Sequence, residues 1–573
     1  MEDNNTRIKK NIQEKMDIYF DNEITSSSYR AEQEKEKIQM RKNKINKILF
    51  YNKKQILKND NTNIVNDQRK IDINKLNCKE EIKRDVKNYI RTQFDIKNWF
   101  KYFFSSNKND IQLSLFLIQK FIELQIIEIK DIDRKLSRNN LELIQRLCDN
   151  LLNDDLKISY NSCACLTNLV SFPKNIENLI YSERNLEKIL KFFGIYSNNV
   201  SLFGYEPLFL FFNICFNDDV KIYFIKNSFL EYFYNFINKI LNHNNTNLDE
   251  QIEFNIINNS INILSMIISV CDVDDNYINK FVQFIPICKI ITSKYYAHTN
   301  NYILNEESVC SLICIWNYYS KKRNNNKIFI NEIIKDNFLK QLIEIYEKLN
   351  VLKKEIKIKI SMIELFKNFL IIEDQIDRIL INDGIIDFFS SQIKKYQYSN
   401  TEILNNIILS CSYLAQGNIG QVENLWDSGI ISKIIDITKF YIDDNLDNEI
   451  KNILINSILC LAYIINNDKI RKKILIYDEF IIIKIFCKSL KIDLDPYNKN
   501  KLVQNIIYGI NDLNVASEEL DPELEQEYDY LLINISLEEI LNNYYEKKYL
   551  ENTCKEMIDD IKIFIKDLEK KNL

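Results

Sequence analysis

Glycine, proline and histidine are scarce in this chain: 7 Gly, 5 Pro and 2 His occur in 573 residues. So few turn formers argue against a sandwich, a barrel or a Gly-rich phosphate-binding loop, each of which needs tight backbone turns. The two histidines, His243 and His298, sit in an Asn-rich stretch and after an aromatic pair, with no nucleophile and base beside them. The acidic doublets Asp154-Asp155, Asp218-Asp219 and Asp274-Asp275 fall between helical runs, where carboxylates cap helices or are solvated. No enzyme class and no cofactor is implied. The 13 Cys form no CxxC pair and no zinc-type cluster with His, so they are expected as reduced core thiols. No apolar stretch is long enough to span a membrane, since the longest, residues 474–490, is interrupted by Tyr477, Asp478, Glu479 and Lys484. The first residues, Met-Glu-Asp-Asn-Asn-Thr, carry no apolar core for a signal peptide, and a soluble protein is predicted. The 76 basic and 81 acidic residues leave a net charge of -5, which gives no global attraction to nucleic acid.

What is present is a repeated pattern: an aliphatic residue, a polar pair or trio, then two large apolar residues opening a helical run. It occurs at Ile225-Lys-Asn-Ser-Phe229, Ile334-Lys-Asp-Asn-Phe338, Ile381-Asn-Asp-Gly384-Ile385, Trp426-Asp-Ser-Gly429-Ile430 and Ile476-Tyr-Asp-Glu-Phe480. Gln283-Phe284-Ile285-Pro286 fills the gap between the first two. Phe229, Phe284, Phe338, Ile385, Ile430 and Phe480 then recur at 45 to 55 residues. A second series of apolar runs ends at Asn168, Asn213, Met266, Asn317, Asn368, Tyr413 and Tyr463, with intervals of 45 to 53. Two markers of one period predict stacked helical repeats, because no single repeat buries its apolar faces alone. Ile is a strand former by propensity, but the periodicity is helical. Helices that are apolar on nearly every side are expected to be buried.

The second series resembles the importin alpha family, in which an Asn closes a Trp-x-x-x-Asn pattern on the third helix of successive armadillo repeats. Leu166-Thr167-Asn168-Leu169 and Phe212-Asn213-Ile214 resemble its second and third repeats. Leu414-Ala415-Gln416-Gly417-Asn418 through Gln421-Val422 is similar to the loop after its seventh, and residues 537–564 resemble its closing repeat. Near the N-terminus, Ile38-Gln39-Met40-Arg41-Lys42-Asn43-Lys44, continuing to Leu49, resembles the importin-beta-binding helix.

The resemblance implies an all-α fold, an armadillo-repeat right-handed superhelical solenoid with a flexible basic N-terminal helix. It divides the chain into an importin-beta-binding-like tail (1–60), a linker (61–95), a repeat array (96–515), and an acidic linker with a capping repeat (516–573). It implies a nuclear import adaptor shuttling between cytoplasm and nucleus. Its partners would be importin beta, proteins bearing basic localisation signals, and an export receptor with Ran-GTP, without direct nucleic-acid binding or membrane insertion. Importin-beta contacts would come from Arg7, Lys9, Lys10, Arg30, Arg41, Lys42, Lys44, Lys53 and Lys54. Cargo contacts would come from Asn168, Phe209, Asn213, Asn217, Asp218, Asn317, Asn368 and Glu364. Amides would grip the cargo backbone, and rings and carboxylates would hold the stems and ends of its lysines. The Trp positions of the pattern hold Ala164, Phe209, Asn262, Ile313, Leu409 and Leu459, and Trp316 is placed for core packing. The same fold suits an armadillo scaffold that assembles other complexes and does not bind standard import signals. The basic N-terminal helix separates the two, because a general scaffold has no need of it.

Overall fold

The computed structural model describes residues 103–112, 114–115, 140–170, 180–242, 248–272, 277–297, 306–321, 329, 332–333, 335–348, 353–372, 381–397, 399–442, 448–492, 496–545 and 552–572. The tail residues 1–60, the linker 61–95, both histidines and the cores of the Asn-rich loops lie outside them. Among the described residues there are helices and turns and no strand. They fall into two compact units, one up to Tyr318 and the other from Tyr319.

In the first unit, α1 (Asn140–Asn150) and α2 (Leu156–Val170) are the second and third helices of one repeat. The next holds α3 (Glu183–Asn198), α4 (Val200–Phe203) and α5 (Pro207–Ile214). Then come α6 (Asp218–Lys226), α7 (Phe229–Leu241) and α8 (Glu250–Ile268). The last comprises α9 (Ile278–Phe281), α10 (Ile285–Ala297) and α11 (Glu306–Lys321), within which the unit boundary falls. Third helices stack on third helices, α5 lying between α2 and α8, while α3 lies between α1 and α7.

The second unit continues with α12 (Phe338–Lys348), α13 (Lys353–Ile372), α14 (Ile385–Tyr396) and α15 (Thr401–Ala415). Two full repeats follow: α16 (Ile419–Asp427), α17 (Ile430–Tyr441) and α18 (Asn448–Ile465), then α19 (Asp468–Ile476), α20 (Ile481–Leu490) and α21 (Pro496–Ser517). It ends with α22 (Pro522–Asn534), α23 (Leu537–Tyr545) and α24 (Asn552–Asn572). Here too the third helices form one stack (α13, α15, α18, α21, α24), and the second helices form another (α14, α17, α20, α23).

The polar trio in the sequence pattern is the turn between first and second helices, and its last residue is left-handed. Ser228 (φ 62), Asn337 (φ 54), Gly384 (φ 89) and Gly429 (φ 72) each precede a second helix, Ser536 (φ 56) does the same for α23, and before α20 Asp478, Glu479 and the marker Phe480 are left-handed in succession (φ 47, 54 and 57). One left-handed residue reverses the chain while satisfying a helix-end carbonyl, as when Gly429 N–H donates to the Trp426 carbonyl at 3.0 Å. Glycine suits this conformation, yet only two of the six positions carry it. Phe480 is held there by packing: its ring is buried, with its centroid 5.5 Å from that of Tyr528. At Gln283-Phe284-Ile285 the chain instead passes through a 3-10 turn, Val282–Phe284, straight into α10, which explains the deviant spelling of that marker. Pro286 occupies the first turn of α10, where its missing N–H costs nothing.

Asparagine is abundant partly because it caps. Asn217, Asn400 and Asn467 each accept from a backbone N–H in the first turn of the helix they precede. Asn418 and Gln421 form a reciprocal capping box at α16, with bonds of 3.1 and 2.7 Å. Trp316 is fully buried, its Nε1 donating to Thr292 Oγ1 at 3.4 Å. The described cysteines are free thiols, and all but Cys310 and Cys314 are buried. Burial pushes the Cys215 and Cys288 thiols up to about 12, which keeps them protonated and unreactive. Among the described residues, no grouping of His, Cys, Asp and Glu could hold a metal ion. Nor is any helix there long and apolar enough to cross a membrane.

Candidate functional site

Six of the eight residues proposed to hold cargo lie along the third helices, Asn217 and Asp218 stand at the start of α6, and burial separates them. Asn213 on α5 is buried, its amide donating to the Thr167 carbonyl on α2 at 3.4 Å. Asn317 on α11 is buried as well. Asn368 on α13 is only 2% exposed and donates to Ser320 Oγ at 3.2 Å. The Asn213 and Asn368 amides tie neighbouring third helices together. Asn168 at the end of α2 and Glu364 on α13 are half-buried. Asn217 accepts from Val220 N–H as the cap of α6. Asp218, in the first turn of that helix, pairs with Lys221 at 2.7 Å, and Lys221 also donates to Ser269 Oγ at 3.0 Å. The nine basic residues assigned to importin beta, Arg7 through Lys54, lie outside the described residues.

The positions aligned with tryptophan in the family pattern divide in the same way. Asn262, Ile313, Leu409 and Leu459 are buried, Ala164 is half-buried, and Phe209 is 38% exposed. Met266, Tyr413 and Tyr463, which stand at the Asn positions, are buried too. The aromatic residues with some exposure here are Phe209 and Phe212 on α5, Tyr205 in the turn before it and Phe216 in the turn after it. Tyr205 and Phe212 are half-buried, and Phe216 is 36% exposed. Tyr205 meets Phe209 edge-on with centroids 5.9 Å apart, and Phe212 meets Phe216 likewise at 5.4 Å. On the neighbouring third helix, half-buried Tyr160 stacks on Phe203 at 5.9 Å.

A break in the third helix sets the start of α5. Gly204 adopts φ 68 and ψ -146, a combination that ends α4. Tyr205 and Glu206 follow, and Pro207 opens α5. A side chain at Gly204 would put its Cβ 2.7 Å from Glu206 Oε2, so glycine also leaves the space into which that carboxylate folds. The Gly204 carbonyl accepts from the buried Tyr196 hydroxyl at 3.1 Å. Along the sequence, no Lys or Arg occurs between Phe192 and Val220, while Glu206 precedes α5 and exposed Asp218 and Asp219 follow it; Lys239 reaches into this stretch, its Nζ donating to the Ser197 carbonyl at 3.5 Å.

Tyr160, Tyr205, Phe212 and Phe216 were not among the residues singled out by sequence. Tyr160 belongs to α2 and Tyr205 and Phe216 to the turns around α5, and Pro207–Ile214 is apolar at nearly every position, so periodicity assigns the whole helix to the core.

No family model and no curated protein matches the sequence. Solved structures do match. An engineered protein is similar over 83% of this chain and 99% of its own, with a TM-score of 0.56 and 12% identity. A structure from work on a phosphorylation switch controlling the interaction between cadherin and beta-catenin is similar over 82% of this chain and 83% of its own (TM-score 0.58, 11% identity). A computationally designed armadillo repeat protein for modular peptide recognition is covered to 97%, matching 48% of this chain at a TM-score of 0.35 and 14% identity. Such identities speak to fold alone. With stacked three-helix repeats in each unit, the fold is an all-α armadillo-repeat solenoid.

Proposed function

We propose that the chain is a protein-binding armadillo scaffold whose third-helix face receives an extended segment of a partner, with α5 as its centre. The observation that carries this is the exposed Phe209 on α5, with exposed Phe216 in the turn after it, where Asn262, Ile313, Leu409 and Leu459 bury the position of Phe209 on other third helices. Exposed apolar surface of this kind marks interaction sites, since a chain that could bury it would gain stability. The activity is binding, with no chemical step and no cofactor.

Within that class, the finer role is a nuclear import adaptor. It would carry basic cargo signals on the third-helix face, bind importin beta through its N-terminal segment, and be recycled by an export receptor with Ran-GTP. Support comes from the basic segment Ile38–Leu49, which resembles an importin-beta-binding helix. A basic segment without an apolar core can fold on an acidic partner. The test is retention of importin beta by the full chain, beside a variant with Arg41→Ala, Lys42→Ala and Lys44→Ala. Retention lost in the variant supports the adaptor. If importin beta is not retained by the unaltered chain, the scaffold role stands without the import role.

A further inference from the structure

We propose that Asn405 and Asn456, on third helices of the unit from Tyr319, form a seat for a primary carboxamide. A partner segment received there is selected for a glutamine or asparagine side chain. The inference rests on the reading of the third-helix face as a receiver of partner segments, and it names a side chain that such a segment carries.

Three observations carry it. The first is a half-used pairing. Asn456 Nδ2 on α18 donates to Asn405 Oδ1 on α15 at 2.8 Å. Two primary amides can bond twice, edge to edge, because each has an oxygen and an N–H on the same side. Here the bond is single, and among the described residues Asn405 Nδ2 and Asn456 Oδ1 have no partner. The second is access. Both residues are half-buried, and neither of these two atoms is sealed from solvent. The third is the fixing of the pair. Asn258, Asn259 and Asn406 turn their amides back onto carbonyls of their own helices, at 2.8 to 3.0 Å. Asn405 and Asn456 instead bond across two third helices that lie against each other. One open donor and one open acceptor are thereby held on adjoining amides before any partner arrives.

A donor beside an acceptor selects its occupant by chemistry. A primary carboxamide offers an oxygen and an N–H on one edge, so a single group can answer both. A backbone peptide group is trans, its C=O and N–H point in opposite directions, and it can answer only one. An ammonium would leave the Asn405 N–H facing a cation, and a carboxylate would leave the Asn456 oxygen facing an anion. An apolar side chain would cover both groups and leave them unbonded, which costs free energy.

The experiment uses the full chain and three fluorescent peptides, identical except that alternate residues are glutamine, methionine or lysine. Anisotropy titrations are expected to show the glutamine peptide binding about tenfold more tightly than the methionine one, the effect of two neutral hydrogen bonds. The variant Asn405→Asp keeps an oxygen to accept from Asn456 and turns the open donor into an acceptor. It should erase the preference for glutamine and favour the lysine peptide, most clearly at low salt. A methionine peptide that binds as tightly as the glutamine one overturns the inference, and so does a glutamine preference unchanged in Asn405→Asp. Binding of none of the three peptides would overturn the broader reading of the third-helix face along with it.

Discussion

Phe193, in the unit ending at Tyr318, is ringed by Phe211, Phe229, Phe236, Tyr196 and Phe233, with centroids 5.1 to 5.9 Å away. In the unit from Tyr319, the fully buried positions of α15, α17 and α18 are filled mainly by Ile403, Ile407, Ile408, Ile430, Ile434, Ile453 and Ile458. The contrast is sharpest around α5, a third helix of 8 residues, where α2 and α8 in the same unit have 15 and 19 and α15 and α18 in the other have 15 and 18. A short helix offers about two turns of side chains, so each must reach further to close the space between second and third helices. The longer helices close it with isoleucine. They also lie against their neighbours more extensively, and Leu409 and Leu459 disappear into the stack. One unit therefore uses aromatic residues both in its core and at exposed positions, Phe209 and Phe216 among them.

The largest expected effect breaks this comparison at its centre. Phe193→Ala removes a ring that touches five others and should cost about 3–5 kcal/mol. Ile434→Val in the other unit removes one methyl group and should cost about 0.5–1.5 kcal/mol. Denaturant unfolding of the two variants measures both. A Phe193→Ala penalty no larger than that of Ile434→Val would mean that the aromatic cluster is loosely packed, and the contrast between the units would lose its basis.

A smaller effect sharpens the role of the helix break. Gly204→Ala places a Cβ against Glu206 Oε2 at a backbone conformation that suits glycine alone, and it should cost about 1–3 kcal/mol. Gly194→Ala, inside α3 with nothing within 4 Å of the new Cβ, should instead gain about 0.5–1 kcal/mol. Thermal unfolding of the pair checks the opposite signs. Equal shifts would show that the break between α4 and α5 is soft and does not fix the start of α5.

The repeat itself was legible in sequence, because both of its markers have structural causes. The polar trio before Phe229, Phe338, Ile385 and Ile430 is a left-handed turn, and the runs ending at Asn213, Asn317 and Asn368 are stacked third helices. Trp316 was placed in the core on its register alone, one residue before Asn317. The residues proposed for binding were much less legible. Asparagine serves as helix cap at Asn217 and Asn418 and as inter-helix tie at Asn213 and Asn368, so the letter alone does not separate a groove amide from a structural one. The exposure of Phe209 was hidden for a different reason. Whether Phe209 or Leu409 is exposed depends on how closely the neighbouring third helices approach, and nothing in the eight residues of α5 states that distance. Gly204 was visible as a rare glycine, but its positive φ follows from the chain entering α5 at Pro207, which the run of apolar residues around it conceals.

The smallest effects compare the same turn in the two units. Ser228 in one and Ser536 in the other are exposed and left-handed, at φ 62 and φ 56, in positions where Gly384 and Gly429 stand elsewhere. A left-handed non-glycine residue costs about 1–2 kcal/mol, and glycine gives back part of that through the greater freedom of its unfolded chain. Ser228→Gly and Ser536→Gly should therefore each stabilise by about 0.5–1 kcal/mol, seen as a higher midpoint at unchanged denaturant slope. Asn337→Gly should gain only about a few tenths of a kcal/mol, because asparagine tolerates this conformation through its local hydrogen bonding. The gain at Ser228 should match that at Ser536, since the turn is a backbone device independent of whether the core behind it is phenylalanine or isoleucine. A gain confined to one unit would mean that the packing around the turn, and not its φ, sets the cost.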